Sequence, residues 1–128
     1  MLTFSVTESW LNPSGDVAKC ADLAPPGYKT LSFPRFSRGG GIAFVVRDSL
    51  CPRVTINTDF PFQRSPFELV HVNVALRQRC LQLFCLYRPH PNKKNQLTDS
   101  LFFQEFPNLL EHCNSMKGSL LVAGDFNI

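Results

Sequence analysis

The run Cys80-Leu81-Gln82-Leu83-Phe84-Cys85-Leu86-Tyr87 constrains the fold more than any other stretch, because it is apolar on both alternating faces. Successive side chains of a strand point to opposite sides, so a strand with one wet face shows a period of two. A strand that is apolar on both sides must be covered on both, and this calls for layers above and below a sheet. The run before it, Leu69 to Leu76, places Val70, Val72, Val74 and Leu76 on one face. Arg77-Gln78-Arg79 joins the two runs as a hairpin.

Further elements follow from pattern. Leu2-Thr3-Phe4-Ser5-Val6-Thr7-Glu8 alternates and reads as a strand from the first residue onward. Ile42 to Arg47 is a β-branched strand entered through Gly39-Gly40-Gly41. Asn12 to Asp16 and Pro25-Pro26-Gly27 are turns, and the stretch between them carries no helical signal strong enough to assign. A polar loop from Arg88 to Asn95 precedes a helix capped by Thr98 or Asp99, with Phe102, Phe106, Leu109, Leu110 and Cys113 at helical spacing. Pro107 either kinks that helix or starts a second one, and Gly118 is the expected stop before a last strand at Ser119 to Ala123. Strands, then a helix, then a strand make an α/β layered domain without internal repeats.

Bulk properties remove several function classes. The 128 residues have room for one domain with a core, and 44% hydrophobic with 18% charged residues is ordinary for a globular chain. A net charge of +3, spread over both halves, permits nucleic-acid binding without arguing for it. The apolar runs are too short to span a bilayer and the N-terminus does not read as a signal peptide, so the expected setting is intracellular, in nucleus or cytoplasm, with no membrane partner. Five cysteines without a C-x-x-C pair suit reduced thiols, with Cys80, Cys85 and Cys113 as small buried hydrophobes.

The chemistry-bearing residues cluster at strand ends. Gly124-Asp125-Phe126-Asn127 closes the last apolar run and delivers a carboxylate and an amide to the carboxyl end of a sheet, where open α/β folds place ligands. Glu8 stands in the same relation to the first strand. If those strands are neighbours, both acids reach one rim, and such acids suit a hard cation bound with waters and phosphate oxygens. Asn127 can bond a phosphate oxygen, orient a carboxylate, or simply build the turn. Tyr87-Arg88-Pro89 ends its strand with a phenol that either donates to phosphate or packs the rim, and a guanidinium that either clamps a phosphate or is solvated. Arg38 to Gly41 is not a phosphate loop, because it lacks the G-x-x-x-x-G-K spacing and precedes a strand instead of a helix. His71, His90 and His112 have no ligand spacing with the cysteines that would suit zinc, and Lys93 and Lys94 read as a solvated loop. Trp10 and Phe33 to Phe36 read as packing groups.

Taken in order, Thr7-Glu8-Ser9-Trp10-Leu11, Arg38-Gly39-Gly40-Gly41-Ile42-Ala43, Phe67-Glu68-Leu69, Tyr87-Arg88-Pro89 and Gly124-Asp125-Phe126-Asn127 resemble the endonuclease/exonuclease/phosphatase superfamily. The likeness is greatest to the apurinic-like endonuclease domain of non-LTR (LINE-type) retrotransposon polyproteins, with Ser9 a mild departure from T-E-T-W-L. The resemblance implies a four-layer α/β sandwich, incomplete here, with residues 1–128 as roughly the first half of one domain. It implies that Glu8 binds Mg²⁺ (or Mn²⁺, either held weakly by a fragment), that Tyr87 contacts the scissile phosphate, and that Asp125 positions or deprotonates the attacking water with Asn127 steadying it.

The implied reaction is metal-assisted hydrolysis of a DNA phosphodiester bond, nicking target DNA during retrotransposition. The partners implied are DNA and the remainder of a retroelement polyprotein. The family's leading strand with its metal-site Asn and its trailing Ser-Asp-His segment have no counterpart in the sequence, so the chain is expected to be inactive alone and loosely packed or prone to aggregate. A phosphoesterase of small phosphate esters and a non-catalytic retroelement remnant are the alternative readings.

Overall fold

In the computed structural model, which describes residues 3–7, 9, 17–33, 40–57, 67–91 and 98–127, the two-faced apolar run forms the centre of the molecule. It is strand β6 (Cys80–Tyr87), following β1 (Thr3–Thr7), α1 (Val17–Leu23), β2 (Tyr28–Phe33), β3 (Ile42–Arg47), a 3₁₀ helix (Asp48–Arg53), β4 (Val54–Asn57) and β5 (Glu68–Ala75). Helix α2 (Asp99–Asn114) and β7 (Ser119–Asp125) complete the order. The result is α/β, with an antiparallel sheet β1-β3-β2 and a mixed sheet β4-β5-β6-β7.

The alternation of β6 is divided between two cores. Leu83, Cys85 and Tyr87 pack with Ile42, Phe44 and Val46 of β3 and Val72 and Val74 of β5, filling the space between the sheets. Phe84 and Leu86 point the other way and pack with Phe102, Leu109 and Cys113 of α2. Each such side chain, fully buried, contributes about 1.5–3 kcal/mol of hydrophobic free energy. Val45 and Ala43 are buried on the outer face of β3. There Thr30, opposite Val45, donates its hydroxyl to the Cys20 carbonyl of α1 at 2.7 Å.

The hairpin of β5 and β6 forms as the sequence indicates, with Leu76 N–H donating to the Arg79 carbonyl at 2.8 Å. Thr98 caps α2 by accepting from the Leu101 N–H at 3.1 Å. Helix α2 runs through Pro107 as one element. β6 and β7 are parallel, so their connection must cross over, and α2 is that crossover.

Four sequence expectations are corrected. The stretch ending before Pro25 does hold a helix, α1, whose Ala18, Lys19 and Ala21 are good helix formers. β1 and β7 belong to different sheets and approach each other across the gap between them, not as sheet neighbours. Gly118 stands beyond the helix end, at φ +108, where a Cβ would lie 2.5 Å from the Cys80 carbonyl oxygen. Its role is close approach to the start of β6. Cys80 is half-buried and donates its thiol to the Lys117 carbonyl at 3.4 Å, whereas Cys85 and Cys113 are buried as expected. β2 and β4 carried no assignment from sequence, although Val54-Thr55-Ile56 is β-branched. Phe33 packs edge-on against Phe44 at 6.1 Å between centroids. Among the described residues no helix is long and apolar enough to cross a membrane.

Candidate active site at the sheet rim

Cross-strand register brings three functional groups into one row. Glu68 at the start of β5 is paired with Tyr87 at the end of β6, and Tyr87 is paired with Asp125 at the end of β7. Residues opposite one another across a ladder share a face, and neighbouring strands lie about 4.8 Å apart. Tyr87 belongs to the intersheet core and is 5% exposed, so Glu68 and Asp125 flank it on the side facing the first sheet. The row is acid, phenol, acid, at the rim where the parallel pair β6 and β7 ends.

Two local features fix Asp125. Gly124 has φ +155, and a Cβ there would overlap the Leu86 carbonyl oxygen, so glycine alone lets β7 close on β6 at this point. After Asp125 the chain turns through Asn127 at φ +44, a left-handed conformation that asparagine tolerates better than most residues. The turn is closed by the Asn127 N–H donating to Asp125 Oδ1 at 3.2 Å. One carboxylate oxygen is thereby oriented.

Arg88 is neither a solvated side chain nor free to clamp a ligand. It is 1% exposed, paired through Nη2 with Asp99 Oδ1 at the first turn of α2, while Asp99 itself is 73% exposed. Its guanidinium lies 4.5 Å above the Phe102 ring, a desolvated cation–π contact of about 2 kcal/mol. Nη1 donates to the Asn127 carbonyl at 3.2 Å, the Asn127 Nδ2 donates to the Arg88 carbonyl at 2.6 Å, and the Arg88 N–H donates to the Asp125 carbonyl at 2.8 Å. The arginine is the internal support of the Gly124 to Asn127 turn, and the Asn127 amide is engaged in that support. Phe126 anchors the other side of the turn, edge-on to Phe106 at 5.7 Å.

Glu8, Trp10, Arg38, Gly39, Phe36, Lys93 and Lys94 lie outside the described residues. Ser9, immediately after Glu8, donates its N–H to the Gly41 carbonyl at 3.1 Å. Its Oγ is buried and has no hydrogen-bond partner among the described residues. Glu68 reaches the same glycine, accepting the Gly41 N–H at Oε2 over 2.9 Å. The sequence pattern alone assigns Glu68 no role. Counting outward from the Arg77–Arg79 turn pairs it with Tyr87, so its place in the row was readable from the hairpin.

Among the described residues no three of His, Cys, Asp and Glu form a cluster able to cage a cation. What the rim offers is the chemistry of a hard divalent cation that keeps most of its water: carboxylates at Asp125 and Glu68 and an orphaned hydroxyl at Ser9. The histidines stand elsewhere. His71 is buried under α2, stacked on Phe84 at 4.3 Å, with Nε2 2.7 Å from Gln82 Oε1, and burial lowers its pKa. Gln82 in turn donates to the Lys117 carbonyl at 2.9 Å.

No family model and no curated protein matches the chain. Solved structures do. Truncated Caenorhabditis elegans TDP2 matches with a TM-score of 0.62 and 15% identity, over 98% of this chain and 49% of that one. D. rerio TDP2 humanized by 14 mutations matches at 0.61 and 16%, over 98% and 52%. D. rerio TDP2 complexed with single strand DNA product matches at 0.59 and 16%, over 98% and 48%. TDP2 is tyrosyl-DNA phosphodiesterase 2, a member of the endonuclease/exonuclease/phosphatase superfamily. At such identity the likeness is one of fold, and the chain spans about half the length of these proteins.

Proposed function

We propose that this chain is part of a metal-dependent DNA phosphodiesterase of the endonuclease/exonuclease/phosphatase type. The observation that carries the reading is the row Glu68, Tyr87, Asp125 at the carboxyl end of a parallel strand pair, in a fold shared with a DNA phosphodiesterase. The packing of α1 on the first sheet and of α2 on the second supports a four-layer sandwich as the full architecture.

Each residue has a task that its position supports. Asp125, with one oxygen held by the Asn127 N–H, orients or deprotonates an attacking water through the other. Tyr87 beside it donates to a phosphate oxygen, and Asn127 keeps the turn in register through Arg88. Glu8 would hold Mg²⁺ or Mn²⁺, which when bound would supply Lewis-acid polarisation of the phosphoryl group. DNA is the substrate, and the order of T-E-S-W, Y-R-P and G-D-F-N motifs favours the finer reading of target-site nicking by an intracellular retroelement protein.

Supercoiled plasmid is the direct assay, run with this chain and with any longer product of its coding sequence, in Mg²⁺, Mn²⁺ and chelator. Nicking that requires the cation and disappears in Asp125→Ala supports the proposal. Nicking that survives Asp125→Ala sinks it, and hydrolysis of inositol phosphates in place of DNA transfers the site to small phosphate esters.

A further inference from the structure

We infer that Glu68 is a positioning residue that ties the two sheets together at the rim and so sets where Ser9, the residue that follows Glu8 in the chain, stands relative to Tyr87 and Asp125; the inference rests on the phosphodiesterase reading.

The tie is a short relay through one glycine. Glu68 Oε2 accepts the Gly41 N–H at 2.9 Å, and the Gly41 carbonyl accepts the Ser9 N–H at 3.1 Å. Glu68 begins β5 of the mixed sheet, whereas Gly41 leads into β3 and Ser9 follows β1, both of the other sheet. Side chains in the intersheet core hold the sheets by non-directional packing. The Glu68 bond adds direction at the rim, where the functional groups sit.

Its position in the row makes the tie consequential. Glu68 is opposite Tyr87, which is opposite Asp125, so the carboxylate that grips Gly41 belongs to the ladder that carries the phenol and the acid. Glu8 precedes Ser9 directly in the chain. A change in the reach of residue 68 therefore moves Ser9 against the other groups without touching either.

Two substitutions separate reach from charge. Glu68→Gln keeps the length and an acceptor oxygen but removes the charge. Glu68→Asp keeps the charge but is one methylene too short to hold Gly41. The readouts are hydrogen exchange at the Gly41 and Ser9 amides and Mn²⁺ affinity from water-proton relaxation, both on the chain as it stands. Expected for Glu68→Gln are exchange at the wild-type rate and affinity within about twofold, and for Glu68→Asp faster exchange at both amides and affinity weaker by about tenfold, the usual range for an outer support of a metal site. The inverse result, with Gln weakening Mn²⁺ and Asp sparing it, overturns the inference and makes Glu68 a direct ligand. Unchanged exchange in Glu68→Asp overturns it as well. If the wild-type chain binds no Mn²⁺, the functional reading fails and the positioning role with it, while the exchange data still decide the Glu68–Gly41–Ser9 relay.

Discussion

Arg88 and Asn127 hold each other by exchange: the arginine side chain donates to the Asn127 carbonyl at 3.2 Å, and the asparagine side chain donates to the Arg88 carbonyl at 2.6 Å. Each side chain satisfies the other's backbone, so the end of β6 and the turn after β7 are locked as one unit. The backbone bond from Arg88 N–H to the Asp125 carbonyl, 2.8 Å, closes the same unit. The asparagine of this turn is first a structural clasp, and the orientation of Asp125 follows from the clasp.

The ion pair behind this clasp is unequal, with a buried guanidinium and an exposed carboxylate. Asp99→Ala leaves a buried charge without its counter-ion, which is the costly way to break such a pair, and because Asp99 is 73% exposed the cost falls below the roughly 3–5 kcal/mol of a fully buried pair. Arg88→Met in that background removes the charge and keeps an apolar stem over Phe102. Urea unfolding should show the double variant more stable than Asp99→Ala alone; a double variant no better than the single would refute the account.

Gly124→Ala places a methyl group against the Leu86 carbonyl, at a φ that favours glycine. The expected cost is about 2–4 kcal/mol, from overpacking and backbone strain together. The thermal midpoint should fall clearly, and the Tyr87 and Asp125 resonances should shift with it. Gly27, where a Cβ would meet no atom within 4 Å, is the control, since at φ +84 its substitution carries only the backbone penalty.

His71 makes stability depend on pH. Burial lowers its pKa from 6.5, with the Gln82 bond opposing and His112 adding to the decrease. The unfolded chain therefore takes up a proton at this site before the folded one does. The stabilisation is whole above pH 6.5 and is lost as the pH falls from 6.5 through the depressed folded value. His71→Phe keeps a ring for the stack on Phe84 and removes the proton. Its melting temperature should be flatter than wild type between pH 7 and 5; equal slopes would contradict this.

Cys113, on the buried face of α2, has its thiol pushed up to about 11 by desolvation. The thiolate is the reactive form, so Cys113 should stay unmodified by iodoacetamide at pH 8. Half-buried Cys20, Cys51 and Cys80 should label first. Mass spectrometry of partly labelled native protein checks the order.

Much of this was legible because it lies in periodicity. The two-faced run of β6, its hairpin with β5, the Thr98 cap and the α2 face followed from spacing, except that Leu110, expected on that face, is exposed. α1 was missed because its seven residues give barely two turns of pattern. β2 was missed because Tyr28-Lys29-Thr30-Leu31-Ser32-Phe33 is short and mixed, and its place is decided by pairing with β3. The burial of Arg88 was illegible in principle: Asp99 and Phe102 are near it only because α2 crosses back over the sheet. The sequence placed Asp125 and Tyr87 at strand ends, and only the ladder made them neighbours.

The parallel pairing of β6 with β7 also gives the rim a timetable. Glu68 and Tyr87 come together through a hairpin, a local closure of the microsecond kind. Asp125 can join them only after α2 has formed and swung the chain back across the sheet, which is a longer closure with its entropy spent before any ladder bond is gained. A folding chain should therefore carry two-thirds of this row early and remain without its second acid until the last crossover docks. Mutations that loosen α2, far from the rim, are then expected to slow the arrival of Asp125 before they disturb anything else at the site.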